Sequence, residues 1–211
     1  MKYSQFTNRR ASRSKAAVIN PRLHRRKYDM ASIEDRLAAL EREAQWQRDH
    51  IEIRQLIASY GPLVDTADRQ VRARRLAELW VEDGEYDIGG VHPCKGREAI
   101  AAVFEERHFD QVPEGVCHVM GLPFITVTGD EASALNYSCV MRPDGEARFF
   151  PWRVSANHWE LVRRQGRWWI RRRTNRLMTG DPQALTLLRS IDTMMQDHLA
   201  AATGTAAQLR F

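Results

Sequence analysis

The sequence has no apolar run approaching the roughly 20 residues that a bilayer-spanning helix needs, and its start lacks the compact apolar stretch of a secretory signal. A soluble, cytoplasmic protein without a membrane partner is expected. Cysteine is scarce: Cys94, Cys117 and Cys139 are the only three, widely spaced and without a CxxC pair, so neither a structural zinc site nor a redox couple is indicated. Reduced thiols are expected. His92 with Cys94, and His108 with Asp110, lack a third and fourth ligand at useful spacing, so no metal and no cofactor is expected. No internal repeat is present, and 211 residues with 43% hydrophobic content suit a single core.

Acid is missing from the start of the chain. Residues 1–29 hold nine Lys/Arg against Asp29 alone, a charge of +8, whereas the whole chain carries +5, which leaves −3 for the remainder. The basic character thus belongs to a polar head with little to bury. Three readings fit this head: a disordered arm that touches polyanions, a targeting segment, or an upstream extension outside the working protein, with Met30 immediately before the first helix signal. The expected organisation is a basic extension over 1–29, one folded domain over 30–200 and a frayed tail over 201–211.

Ser32 followed by Glu34 and Asp35 reads as an N-cap, with Ile33, Leu37, Leu40 and Ala44 at helical spacing behind it. Residues 51–64 continue the pattern, and Pro62 is expected to kink or end that helix nearby. Asp68 can cap a helix over 69–81 with Val71, Leu76, Leu79 and Trp80 inside, followed by a short strand over 84–88 and a helix from Lys95 to about His108. From residue 116 the period changes. Segments 117–128, 131–142, 147–163 and 167–178 are rich in β-branched and aromatic residues and are separated by Gly129-Asp130, Pro143-Asp144-Gly145 and Arg164-Gln165-Gly166, which predicts an antiparallel meander. Residues 182–200 read as an amphipathic helix. Helices followed by strands indicate an α+β fold, in which N-terminal helices close over a strongly curved antiparallel sheet with a pocket between them.

Three residues in this pattern suit acid–base chemistry. A carboxylate at Asp65 can orient an imidazole at His118, fix its tautomer and raise its basicity, so that the neutral ring removes a proton from a bound molecule. Tyr60 can donate to a developing oxyanion or a departing oxygen. Each also has a structural reading: Asp65 as a turn residue, Tyr60 as helix packing, His118 as a core histidine. His158, beside Asn157, is a candidate second polar group, and Trp80 and Phe124 are candidate apolar walls. Phe149, Phe150, Trp152, Trp159, Trp168 and Trp169 lie among many arginines, a composition that suits base stacking on single-stranded nucleic acid. The same alternation fits a sheet with one buried and one solvated face, and the acidic balance of the folded part favours that reading over nucleic acid.

The stretch Ile51–Met178 resembles the SnoaL-like branch of the nuclear transport factor 2-like (NTF2-like) superfamily. The resemblance is carried by Ile53-Arg54-Gln55-Leu56-Ile57 leading to Tyr60 and Asp65, by Leu76-Ala77-Glu78-Leu79-Trp80, by Gly96-Arg97-Glu98-Ala99-Ile100, by Gly129-Asp130 with Ala132 and Ala134, and by Gly166-Arg167-Trp168-Trp169-Ile170. It implies a cone-like α+β barrel and, from bile-acid dehydratase, scytalone dehydratase and hexachlorocyclohexane dehydrochlorinase, a metal-free elimination chemistry. By that resemblance Asp65 and His118 fall on the catalytic dyad, and Tyr60 on the dehydratase tyrosine, where the dehydrochlorinase has lysine. Arg173 lies near the dehydrochlorinase arginine and is a candidate to bind an anionic or carbonyl group. The implied activity is a cofactor-independent lyase, dehydratase or isomerase acting on a small hydrophobic substrate, polycyclic or aromatic. The superfamily also holds cyclases, epoxide hydrolases and plain binding modules, so a catalytically silent ligand- or partner-binding domain is the alternative. Broad sheet faces in such domains support self-association, which implies a homodimer or homotrimer.

Overall fold

The computed structural model describes residues 32–66, 71–89, 93–107, 115–146 and 148–209. The basic head, Met30, the Asp68 cap and the residues His92, His108 and Asp110 lie outside the described residues. The two expected N-terminal helical segments form one helix, α1 (Ile33–Asp65), opened by a capping box in which Ser32 Oγ accepts from the Asp35 N–H and Asp35 Oδ2 accepts from the Ser32 N–H, each at 3.1 Å. Pro62 does not stop α1 at once. It sits in the last turn, and its carbonyl accepts from both the N–H (3.1 Å) and the hydroxyl (2.5 Å) of Thr66, which closes the helix end.

Only the second half of α1 enters the core. Ile53, Ile57, Tyr60 and Val64, spaced by four, three and four residues, are buried, and each such aliphatic side chain contributes about 1.5–3 kcal/mol. Ile33, 80% exposed, and Leu37 and Leu40 are not core residues, contrary to the apolar periodicity that predicts a buried face there.

Helix α2 (Val71–Ala77) is shorter than the expected 69–81 segment, because Trp80 already opens strand β1 (Trp80–Ile88). Leu76, Leu79 and Trp80 are buried nonetheless. A two-residue strand β2 (Cys94–Lys95) takes the place expected for the start of the next helix, α3 (Arg97–Arg107). The first expected long strand is two strands, β3 (Cys117–Met120) and β4 (Phe124–Thr128), both paired antiparallel with β5 (Glu131–Pro143). The break falls at residues 121–123, where the Gly121 N–H turns to the Tyr137 carbonyl at 2.8 Å and Pro123 has no N–H to give. Strands β6 (Phe149–Arg164) and β7 (Arg167–Leu177) complete the meander, and their two-residue turn has Gln165 and Gly166 at φ 55° and 71°, the conformation of a tight hairpin. Helix α4 (Pro182–Leu209) continues past residue 200.

The sheet order is β2-β1-β7-β6-β5-β3, with β4 also on β5. Among the described pairings β1–β7 is parallel, a departure from the all-antiparallel expectation: the chain reaches the far edge of the meander before the meander is made. Register shifts at Trp80/Glu85, Val140/Met141 and Glu160/Leu161 interrupt the ladders, the kind of irregularity at which long strands bend. Helix α4 packs against β4, β6 and β7. No described helix is long and apolar enough to cross a membrane.

Candidate functional site

Cross-strand register decides which side chains meet inside the curl. Tyr86 pairs with Arg173, and Arg173 with Trp159; Asn175 pairs with Asn157, and Asn157 with Asn136; Ser155 pairs with both Ser138 and Leu177. These rows share the concave face, because partners in a ladder point the same way and neighbours along a strand point opposite ways. Of these, Tyr86, Ser138, Ser155, Arg173, Asn175 and Leu177 line a cavity of about 230 Å³ together with Tyr60 from α1, Val103 and Phe104 from α3 and His118 from β3, while Trp159, Asn157 and Asn136 lie behind them.

Asp65 and His118 are in contact. Asp65 Oδ1 is 2.5 Å from His118 Nδ1, and Asp65 Oδ2 accepts the backbone N–H of the same residue at 2.6 Å. One carboxylate thus holds both the ring and the strand that carries it. A carboxylate only accepts, so the contact places the proton on Nδ1 and leaves Nε2 as the basic nitrogen of a ring that lines the cavity. The pair is reachable because α1 touches β3 at a glycine: a Cβ at Gly61 would run into the His118 carbonyl oxygen. Gly61→Ala is therefore expected to push β3 away from the helix end, with an overpacking cost of about 1–3 kcal/mol in chemical denaturation and a loss of whatever reaction the dyad performs. An unchanged midpoint would contradict the close approach.

Tyr60 is buried, with its hydroxyl 3.2 Å from that of Tyr86 and its ring centroid 6.4 Å from that of His118. Burial pushes the Tyr86 phenol well above its ordinary pKa, opposed by the nearby Arg173 guanidinium, so Tyr86 stays protonated at neutral pH. The Arg173 guanidinium carbon lies 4.0 Å from the centre of the Tyr60 ring, 4.3 Å from Trp159 and 5.0 Å from Tyr86. Asn157 Oδ1 accepts from Arg173 Nε (3.2 Å), Arg173 Nη2 (2.7 Å) and Asn175 Nδ2 (2.9 Å), while Asn157 Nδ2 donates to Ser138 Oγ at 2.9 Å.

Tyr60, Asp65, His118 and Arg173 therefore come together, whereas the other three expected site residues do not join them. Phe124, Leu135, His158 and Thr174 form one cross-strand row on the opposite face of the sheet, offset by a single residue from the rows that line the cavity. Phe124 meets His198 of α4 there, ring to ring at 5.6 Å, and burial lowers the His158 pKa away from the cavity. Trp80 is fully buried beneath the site, against the rings of Tyr60 and Tyr86, and supports them instead of forming a wall. The sequence pattern does not single out Tyr86, Asn175, Ser138 or Ser155, and marks Asn157 only as a neighbour of His158. Stepping by two from Arg173 along β7 finds Asn175, which pairs with Asn157 across the ladder.

The aromatic and basic residues divide between the core and the surface, where Phe149, Phe150, Arg148, Arg153, Arg164 and Arg167 are exposed. Trp159 and Trp168 are buried, and Arg163, Arg171, Arg172 and Arg176 each meet a carboxylate. Among the described residues no group of three or more His, Cys, Asp or Glu side chains is placed to hold a metal ion, and Cys94, Cys117 and Cys139 are not joined by disulfides.

Residues 47–174 match the SnoaL-like domain model, a family that includes ketosteroid isomerase- and polyketide cyclase-type enzymes. Among solved structures, the chain is similar to an NTF2-like protein with a cystatin-like fold from Novosphingobium aromaticivorans, with 40% identity, TM-score 0.67 and coverage of 75% of this chain and 98% of that one. A function-unknown protein from Mycobacterium tuberculosis (20% identity, TM-score 0.56, 72% and 90% covered) and a cystatin-like-fold protein of unknown function from Nostoc punctiforme (20%, 0.53, 63% and 93%) share the fold alone. No curated protein matches the chain. A concave sheet closed by helices, with the sequence match over most of it, makes this chain a member of the SnoaL-like family within the NTF2-like superfamily.

Proposed function

We propose that the protein is a cofactor-independent lyase or isomerase acting on a small, largely hydrophobic substrate. The observation that carries this is the contact between Asp65 and His118 at the wall of an aromatic-lined cavity. His118 Nε2 takes a proton from a carbon next to an activating group, and Asp65 stabilises the imidazolium that forms. Tyr60 donates to the oxygen on which charge develops or which departs, and Arg173 holds a further oxygen of the substrate. In the elimination form of the reaction, the C–H pair moves into a new C=C bond and the C–O bond breaks, the proton from carbon ending on His118 and the leaving hydroxide on the Tyr60 proton as water. In the isomerisation form the same base returns its proton to a different carbon.

The test is to follow hydrophobic β-hydroxy ketones by the ultraviolet absorbance of the conjugated enone that dehydration produces, with wild-type protein and Tyr60→Phe side by side. The proposal expects wild-type turnover and, for Tyr60→Phe, a loss of about 10- to 100-fold in kcat, the value of one hydrogen bond made to developing charge. Absence of both dehydration and proton exchange with solvent, across ligands that demonstrably bind the cavity, would make the chain a binding module and sink the enzymatic reading.

A further inference from the structure

Among the described residues, Arg153 and Arg173 line the cavity beside His118, and no aspartate or glutamate does. Two other arginines drawn into the fold meet acids, Arg163 with Asp49 and Asp130 and Arg176 with Asp87. Arg173 breaks that pattern. It is 2% exposed, its hydrogen-bond partner is the neutral Asn157, and its Nη1 is buried with no acceptor among the described residues. A guanidinium sealed from water without a carboxylate is costly to the fold, and a bound anion removes that cost.

Geometry narrows what the anion is. Asn157 Oδ1 occupies the Nε–Nη2 edge of the guanidinium. The Nη1–Nη2 edge keeps the orphaned Nη1 donors beside the remaining N–H of Nη2, a fork that matches the two oxygens of a carboxylate. The rings of Tyr60, Trp159 and Tyr86 around the guanidinium hold its plane, so this edge is fixed before a ligand arrives. Arg153, exposed on the cavity wall, adds a field that draws anions in.

We propose that the ligand of this cavity is a hydrophobic organic acid, with its ring against Phe104, Val103 and Val140 and its carboxylate on the Nη1–Nη2 edge of Arg173. This rests on the cavity being the substrate site and gives that site its substrate class: ring compounds with a carboxylate, in preference to neutral ketones or alcohols of the same shape.

The test is calorimetric titration of the full chain with naphthoate and with naphthamide, a pair matched in shape and different in charge. Wild-type protein is expected to bind naphthoate about 10- to 100-fold more tightly, the range for a hydrogen bond to a charged group. Arg173→Met fills a similar volume without the buried charge, so it is expected to fold with a Tm equal to or above that of the wild type and to lose the preference. Should it fail to fold, Arg173→Lys keeps a charge but not the fork and is expected to reduce the preference. His158→Gln, on the opposite face of the sheet, is expected to keep it; turnover can fail while the acid preference stands, and the reverse, which separates this inference from the catalytic one. Equal binding of the two probes, no binding of naphthoate, or a preference that survives the Arg173 substitutions would overturn it.

Discussion

Replacing His118 by glutamine is expected to lower kcat by about 10²–10⁴-fold, the usual contribution of a positioned general base, while KM changes little. Glutamine retains size and polarity, and the backbone N–H of residue 118 still reaches Asp65 Oδ2, so the strand stays where it is. Asp65→Asn is expected to reach a similar loss by another route. The amide can present an N–H where the imidazole needs an acceptor, and the ring then loses the tautomer that leaves Nε2 basic. Because the two residues act as a unit, the double variant should cost about as much as the worse single one, and steady-state kinetics on the three proteins checks this. Multiplying losses would mean that His118 and Asp65 act independently, against the 2.5 Å contact. Asp65→Ala adds a separate effect: it strands the His118 N–H, which should cost about 1–3 kcal/mol in denaturation.

The largest expected stability effect lies away from the cavity. Asp49 is buried on α1, and its carboxylate accepts from Arg163 Nη1 (2.6 Å), Arg163 Nη2 (3.0 Å), Trp168 Nε1 (3.1 Å) and Gln45 Nε2 (2.9 Å). Arg163 in turn reaches Asp130 and the Gly129 carbonyl, so one ion pair ties the helix to two hairpin ends of the sheet. Asp49→Ala is expected to destabilise the fold by about 3 kcal/mol, because it leaves the Trp168 indole N–H without an acceptor and Arg163 with only the exposed Asp130 as its carboxylate partner. Pairing it with Arg163→Met should recover part of that loss, since no guanidinium is then left beside the vacated carboxylate position. Urea midpoints for the two single variants and the double variant test this. If the double variant falls by the sum of the singles, the pair is not coupled.

Much of the architecture was legible because it depends on period and punctuation. The Ser32 cap, the switch from helical to two-residue spacing near residue 116 and the three turn sequences specify helices followed by a meander, whatever the tertiary contacts. Boundaries were less legible where a neighbour overrode local preference. Pro62 is tolerated in the last turn of α1, and Trp80 joins a strand because β7 offers it a parallel edge. That edge is formed by residues about 90 positions later, which no local window contains.

The candidate site divides along the same line. Residue types and a resemblance single out Tyr60, Asp65, His118 and Arg173, since acid–base chemistry needs those groups. Phe124 and His158 carry equally suitable chemistry and fall on the outer face, because strand register alternates residue by residue and no side chain reveals its own face. Tyr86 and Asn157 enter for the converse reason, through pairing with Arg173 and Asn175. The sequence alone determined the fold class, the helix and turn chemistry and the short roll of reactive groups, all of which follow from interactions between near neighbours. Which of those groups share a cavity, and that Arg173 lies there without a carboxylate, was decided only by the tertiary structure, because register, curvature and burial are properties of strands far apart in the chain.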